Sequence, residues 1–400
     1  MGKQGETWAE TAQQELEREA RLQVHEDGVD KEQACYYHLW VLEYFLFAWL
    51  VGLRTGKKFS ESFGDGILAM ADFLRVITPD GGVPPQIGDA DDGFVTRFDM
   101  SWPENAYLDV MTAVESVFDN LALRPPLSQK AFWYSLCAGK IARVESQATA
   151  ISKTYPTLFH EGGYAILGQG GVHLVFDGGP LGYPSIAAHG HADALNICLA
   201  IDGVWWLVDP GTYAYHSEHG WRDYFRGSAA HNTLLMDGND QSEIGGPFLW
   251  LRHAHARLVG AGTNAHGVQW VVGEHDGYKK YGGIHTRRVE LDKTGAKVTI
   301  TDEVQGTSEH ELTIFFHFAP DIDLAPGPQI GTWQVTKSDT KRRMALVVDE
   351  SWRWDVWRGS ESPRRGWFSP ALGRKEPAST LCGVWRGRLP VRLVTGLVVE

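Results

Sequence analysis

The order of the sequence patterns predicts a multidomain chain in which a helical region is followed by an antiparallel β-sandwich. Residues 1–145 show the apolar spacing of helices, whereas from about Leu158 short β-rich runs alternate with Gly, Asp and Pro. Strands follow strands without intervening helices, which is typical of antiparallel sheets. With 400 residues, 43% of them hydrophobic, the chain can form large cores. We therefore predict a helical domain over 1–145 and a β-sandwich domain over 146–400.

Five helices are predicted in the first part. Thr11 and Asp30 are each followed three residues later by a glutamine, which is the pattern of a capping box at a helix start. Pro125 and Pro126 separate the last two helices. The predicted helices cover about 11–24, 30–56, 60–77, 104–121 and 128–143, an arrangement that fits an array of paired helices.

One apolar run, residues 34–53, is nearly long enough to cross a membrane. His38 and Glu43 lie inside it, and ionisable groups are costly in a bilayer, so we interpret the run as a buried helix and expect no transmembrane segment. The first 20 residues are polar and acidic, without the apolar stretch of a signal peptide.

The net charge of −13 argues against a nucleic-acid partner, because nucleic acids select basic surfaces. An anionic ligand would have to be held by local basic groups. Candidates occur in or just after one histidine-rich run, and we expect only two or three of them to matter: Arg222, Arg226, Arg252, Lys279, Lys280, Arg287 and Arg288.

That histidine-rich run, residues 187–233, contains more candidate chemistry than any other segment. His189, His191 and Asp193 alternate, so an extended chain would project them to one side. Asp209 and His231 follow in the same run. Two imidazoles and a carboxylate form the ligand set of a zinc site that keeps one position open.

A hairpin within the run tests this idea. Asp202-Gly203 is the signal of a two-residue turn that pairs Ile201 with Val204. Continued as a straight strand, this register would leave His191 roughly 16 Å from Asp209 along the ladder. A metal site therefore requires the chain to fold back around residues 190–194.

Four segments in order resemble the heparinase II/III-like polysaccharide lyases. They are DGVDKEQACYYHLWVL, GGVPPQIGDADDG, HGHADALNICLAIDGVWWLVDPGTYAY and YFRGSAAHNTLLMDG. The resemblance implies an (α/α) toroid followed by an antiparallel β-sandwich. It also implies β-elimination, in which a uronic-acid-containing polysaccharide is cleaved at the O4 linkage to leave a 4,5-unsaturated sugar.

The resemblance assigns roles to particular residues. Tyr37 matches the tyrosine that serves as acid and base, with Tyr36 as an alternative, and His189 matches the histidine that reaches the substrate. For a second catalytic or substrate-orienting tyrosine we select Tyr224, with Tyr213 as its competitor. His191, Asp209 and His231 match the zinc ligands of related proteins. In those proteins the metal is structural and lies beside the site.

The resemblance also bears on completeness and location. The Asn or His that neutralises the substrate carboxylate in these lyases comes from a helix further upstream than the 36 residues before Tyr37 allow. We therefore expect an N-terminally truncated chain with an incomplete toroid, whose location by resemblance is the periplasm or cell envelope. Two alternatives stay open: a zinc-dependent glycan hydrolase, and a non-catalytic glycan-binding or scaffold protein.

Overall fold

The computed structural model describes residues 3–98, 105–118, 128–140, 153–183 and 185–400. In these ranges five α-helices come first and are followed by strands, with one short α-helix and two 3-10 turns between strands. The α-helices are α1 (Lys3–Gln23), α2 (Cys35–Thr55), α3 (Glu61–Ile77), α4 (Ala106–Phe118), α5 (Gln129–Cys137) and α6 (His219–Arg226). The boundary predicted at 145/146 lies outside the described residues.

Side-chain caps mark the start of two of the helices. The side chains of Ser60 and Ser128 accept hydrogen bonds from the backbone of Phe63 and Ala131 and so cap α3 and α5. The two capping boxes expected at Thr11 and Asp30 are wrong. Helix α1 already begins at Lys3, and α2 begins at Cys35 without a side-chain cap.

The strands form antiparallel sheets. The strands are β1 (Thr157–Phe159), β2 (Tyr164–Gln169), β3 (Val172–Asp177), β4 (Ile197–Ile201), β5 (Val204–Leu207), β6 (Leu234–Met236), β7 (Glu243–Gly246), β8 (Leu249–Arg252), β9 (Ala256–Thr263), β10 (Gln269–His275), β11 (Ile284–Leu291), β12 (Lys297–Gln305), β13 (Glu309–His317), β14 (Ile322–Pro326), β15 (Thr332–Lys337), β16 (Arg343–Val347), β17 (Arg353–Arg358), β18 (Ser360–Glu361), β19 (Arg364–Arg365), β20 (Trp367–Ala371), β21 (Arg374–Pro377), β22 (Ser379–Arg388) and β23 (Val391–Val399).

Three large sheets have the orders β1-β2-β3-β4-β5, β14-β15-β16-β23-β12-β11-β10-β9 and β17-β22-β13-β6. Three hairpins pair β7 with β8, β18 with β19 and β20 with β21.

The five-stranded sheet joins the helical region to the rest of the β region. One face, with Ile166, Val175 and Cys198, packs into the helical core beside Leu42 and Phe73. The other face contributes to a second core that it shares with the eight-stranded and four-stranded sheets. Because strand side chains alternate between faces, the two cores lie on opposite sides of this one sheet.

The expected hairpin is present, but its register is not straight. Asp202 and Gly203 both have positive φ, 50° and 84°, and Ile201 pairs with Val204. A bulge then shifts the register, so that Leu199 pairs with Leu207. The extra residue on β5 alters the pairing at the strand ends, where the histidine-rich run continues.

Helix α2 is the helix of the described chain that is long and apolar enough to cross a membrane. Its Glu43 carboxylate lies 2.7 Å from the Lys130 ammonium group of α5, and both side chains are buried. His38 is also buried and bonds the backbone of Asp30 and Met70. These internal partners are those of a core helix.

Candidate functional site

The candidate site lies where the first turn of α2 meets two loops of the β region and the segment 88–93. Tyr37 and His38 are consecutive on α2, so their side chains point in different directions: Tyr37 to the site and His38 to the core. Gly88 has φ +70°, and a Cβ there would overlap Ala34, so the segment can pass close to the start of α2 only at a glycine.

Tyr37 contacts every part of this junction. Its ring stacks on His189 with centroids 3.8 Å apart. Its hydroxyl donates to Asp91 Oδ2 at 3.2 Å and lies 3.2 Å from the hydroxyl of Tyr215. Tyr215 donates in turn to the Ala90 carbonyl oxygen. The hydroxyls of Tyr37 and Tyr215 and the imidazole of His189 therefore lie close together at a half-buried position.

Asp89 lies beneath them and is fully buried. Its Oδ2 faces His189 Nδ1 at 3.2 Å, and its Oδ1 faces His191 Nε2 at 2.9 Å. Arg222 donates to both oxygens. Burial alone would raise the pKa of Asp89, but the hydrogen bonds from the two histidines and the charge of Arg222 lower it well below the ordinary range. No functional role was predicted for this residue from the sequence.

His191, Asp209 and His231 come together as the metal hypothesis requires. One ligand atom from each lies within 4.8 Å of the others, and all three residues are buried. The chain therefore does fold back between His189 and Asn196, where Leu195 takes a positive φ of 64°. Asn232 holds the segment after His231 because its side-chain amide donates to the backbone oxygens of Ile197 and Val208.

The donors of this triad suit a metal. His191 Nδ1 and His231 Nε2 are buried and have no hydrogen-bond partner in the described structure. The opposite nitrogens face Asp89 and Asp209. Burial lowers the pKa of His191 to about 4, against the effect of Asp89, so its ring stays neutral. His191 thus has the neutral ring, oriented by a carboxylate on its far nitrogen, that is the usual metal ligand. Burial would lower the pKa of His231, but Asp209 raises it, so a metal must displace a proton from that ring.

Tyr224 and Tyr213 lie in a different setting. Both are buried in an aromatic cluster with Trp221 and Phe225. The Tyr213 hydroxyl donates to Glu218 at 2.7 Å, and burial raises the pKa of Tyr224. The tyrosine that meets Tyr37 is Tyr215, which sequence reasoning passed over. Its signal was weak, since it is one of three tyrosines in a short run.

Tyr36 faces a neighbouring cavity of about 290 Å³. Its hydroxyl donates to the Gly93 carbonyl oxygen at 2.8 Å. The residues that line the cavity include apolar ones together with Asp89, Asp91 and Asp92. Adjacent tyrosines of α2 thus lie on different sides of the segment 88–93.

Three of the basic residues noted in the sequence are fully buried. Arg222 is held by Asp89, Arg226 donates to the Pro247 and Leu249 carbonyl oxygens, and Arg287 donates to Asp302. Each has a protein partner. Their charges therefore serve the loop structure around the site.

Comparison with known proteins identifies the family of this chain. The family model described as heparinase II/III-like, C-terminal, matches residues 152–396, and the model described as heparinase II/III N-terminus matches residues 2–110. This chain belongs to the heparinase II/III family. The resemblance noted in the sequence is confirmed.

Solved structures of the same fold include a heparinase III, the BT4657 gene product, at 18% identity and a TM-score of 0.75, with 100% of this chain and 56% of that chain covered. Another is the heparan sulfate lyase HepC from Pedobacter heparinus, at 18% identity and 0.71, with 100% and 57% covered. A further heparinase III gives 15% and 0.76, with 99% and 58% covered. The chain thus spans little more than half the length of these structures, and the likeness establishes the fold. No curated protein sequence matches it.

Proposed function

We propose that this protein is a polysaccharide lyase that cleaves uronic-acid-containing glycans by β-elimination. The supporting observation is the stacking of Tyr37 on His189 beside a second tyrosine hydroxyl, that of Tyr215. Family membership, and neighbours that are themselves described as heparinase III and heparan sulfate lyase, support an anionic polysaccharide as substrate. In this proposal α1 to α5 form part of an (α/α) toroid.

The proposed step moves two protons. A base removes the C5 proton of the uronic acid, the C–H electron pair forms the C4=C5 double bond, and the C4–O4 bond breaks as O4 takes up a proton. Burial raises the pKa of Tyr37, so its hydroxyl is protonated near neutral pH and is suited to supply the proton to O4. His189 presents Nδ1 to Asp89, which leaves Nε2 to accept the C5 proton.

Tyr215 is the second tyrosine of the proposal, and Tyr224 stays a prediction from the sequence. The Tyr215 hydroxyl lies 3.2 Å from that of Tyr37, close enough to pass a proton or to orient the phenol. The Arg222 guanidinium lies 5.1 Å from the centre of the Tyr215 ring and offsets only part of the rise that burial causes in the pKa of that phenol, which stays protonated.

For the metal we propose zinc on His191, Asp209 and His231. When bound, zinc would cross-link three segments of the histidine-rich run and fix the loop that presents His189. The side chains of His191, Asp209 and His231 are closed off from solvent. This closure favours a structural metal over one that activates water for hydrolysis, because a catalytic zinc keeps a position open to solvent or substrate.

Incubation with heparan sulfate and with other uronate polymers tests the proposal. We expect ultraviolet absorbance from the 4,5-unsaturated product, with product masses one water lower than those of hydrolysis, and loss of both signals in Tyr37→Phe. Saturated products would establish a hydrolase instead. Binding of a uronate oligomer without any product over long incubation would establish a non-catalytic glycan-binding protein.

A further inference from the structure

Asp89 connects two sites that otherwise have separate tasks. One oxygen faces His191, a residue of the metal triad, and the other faces His189, which stacks on Tyr37. The backbone N–H of Asp89 also donates to the carbonyl oxygen of His189 at 2.9 Å. A single buried residue thus contacts both histidines of the segment His189-Gly190-His191, the HGH segment.

We propose that Asp89 is a positioning residue that couples the metal triad to His189, because it determines which ring nitrogen of each histidine is left for its partner. A carboxylate only accepts hydrogen bonds, so the nitrogen that faces it must carry the proton. His191 is then held with Nδ1 toward the triad, and His189, stacked on Tyr37, with Nε2 on the ring edge that does not face Asp89. The inference rests on the proposed roles of His189 and of zinc.

Arg222 makes this arrangement rigid. Its two terminal nitrogens each donate a hydrogen bond to one oxygen of Asp89, and its Nε donates to the Pro247 carbonyl oxygen at 3.0 Å. Its guanidinium also lies 5.4 Å from the centre of the Phe248 ring. A two-pronged contact of this kind fixes the carboxylate plane, and with it the directions from which both histidine rings donate.

An amide of the same shape cannot replace Asp89. Each carboxylate oxygen accepts from one histidine and from Arg222, so all four contacts need an acceptor. Asparagine has one acceptor oxygen, and its NH2 group would face two N–H donors. One of the two histidines must therefore lose its orientation in Asp89→Asn.

The test compares zinc-loaded wild type with Asp89→Asn, His189→Ala and His191→Ala, with zinc affinity measured by chelator competition. We expect His191→Ala to lose zinc, His189→Ala to keep it, and Asp89→Asn to bind zinc about 10- to 100-fold more weakly, as is usual for partners of metal-ligating histidines. Asp27→Asn is the matched control. This carboxylate also joins the helical region to the β region, through the backbone N–H groups of Glu161 and Gly162, but contacts neither histidine.

Histidine-selective ¹⁵N labelling reads the ring protonation directly and needs no substrate. In the wild type we expect a proton on Nδ1 of His189 and on Nε2 of His191, and in Asp89→Asn a changed pattern for at least one ring. Wild-type zinc affinity together with a wild-type protonation pattern of both rings in Asp89→Asn, a proton on Nε2 alone in wild-type His189, or a wild type that binds no zinc would each overturn the coupling. Because none of these readouts uses a polysaccharide, failure of the lyase proposal would be seen separately.

Discussion

The phenols of Tyr37 and Tyr215 lie in an environment that keeps them protonated. Burial raises the pKa of both, and the nearby Asp89 carboxylate acts in the same direction. Arg222 opposes this at Tyr215. The pair is therefore suited to supply protons, and removal of one hydroxyl should affect turnover more than binding.

Tyr215→Phe tests this at the residue scale. We expect kcat on a uronate polymer to fall by about 10²-fold or more, since positioned acid–base groups contribute about that much, while KM changes little. Tyr224→Phe, within the aromatic cluster, should keep its activity. The reverse result, an active Tyr215→Phe and an inactive Tyr224→Phe, would return the role to the tyrosine selected from the sequence.

His191→Ala tests the metal ligands. We expect the purified variant to contain less zinc per chain than the wild type, because the triad loses a buried nitrogen that has no other partner in the described structure. Elemental analysis of both proteins after the same zinc loading decides the matter. Equal zinc content in the two would refute the ligand assignment.

At the scale of elements, the path of the chain around Gly190 brings the two histidines to Asp89. A Cβ at Gly190 would overlap the carbonyl oxygen of Leu181, so the main chains pass too closely for any side chain. The Trp250 indole donates to the Gly190 carbonyl oxygen at 3.0 Å and holds the same place. The short loop is thus fixed by close packing from both sides.

Gly190→Ala should therefore destabilise the protein by about 1 to 3 kcal/mol, the usual cost of overpacking, and reduce zinc content as the HGH segment moves. Gly66→Ala is the matched control. It lies in α3 with open space around the added carbon, and we expect stabilisation by about 0.5 to 1 kcal/mol from helix propensity. Thermal unfolding measures both, and a Gly190→Ala variant as stable as the wild type would contradict the packing argument.

At the scale of the whole molecule, contacts between helices and the first sheet couple stability to pH. His173 of β3 bonds the Ile77 carbonyl oxygen at the end of α3 and the Tyr155 hydroxyl. Burial, aided by Lys153, lowers its pKa from 6.5 to about 4. Between these values the unfolded chain binds the proton and the folded chain does not, so stability falls as the pH falls.

Comparison of the wild type with His173→Gln isolates this contribution. We expect the wild type to lose more unfolding free energy than the variant between about pH 6.5 and about pH 4, by up to about 3 kcal/mol for a shift of this size. Denaturant unfolding at a series of pH values measures the difference. Parallel pH dependences of the two proteins would show that folding does not lower the pKa of His173.

Patterns local in the chain determined the order of helices before strands, the turn at Asp202-Gly203, and a histidine-rich run with ligand types that suit a metal. Periodicity, turn chemistry and ligand type are properties of neighbouring residues, so a sequence displays them. The family resemblance selected His191, Asp209 and His231 within that run and added Tyr37 and His189. The start of α2 was missed because no capping side chain marks it.

Only the tertiary structure decided which residues share the site. Asp89 is one of three acidic residues in a short segment, and Tyr215 one of three tyrosines in another, so nothing local distinguishes them from their neighbours. Their roles come from contacts with Arg222, His189 and Tyr37, which lie far away in the chain. Orientation at a site depends on how distant segments pack, because side-chain direction follows backbone placement in three dimensions.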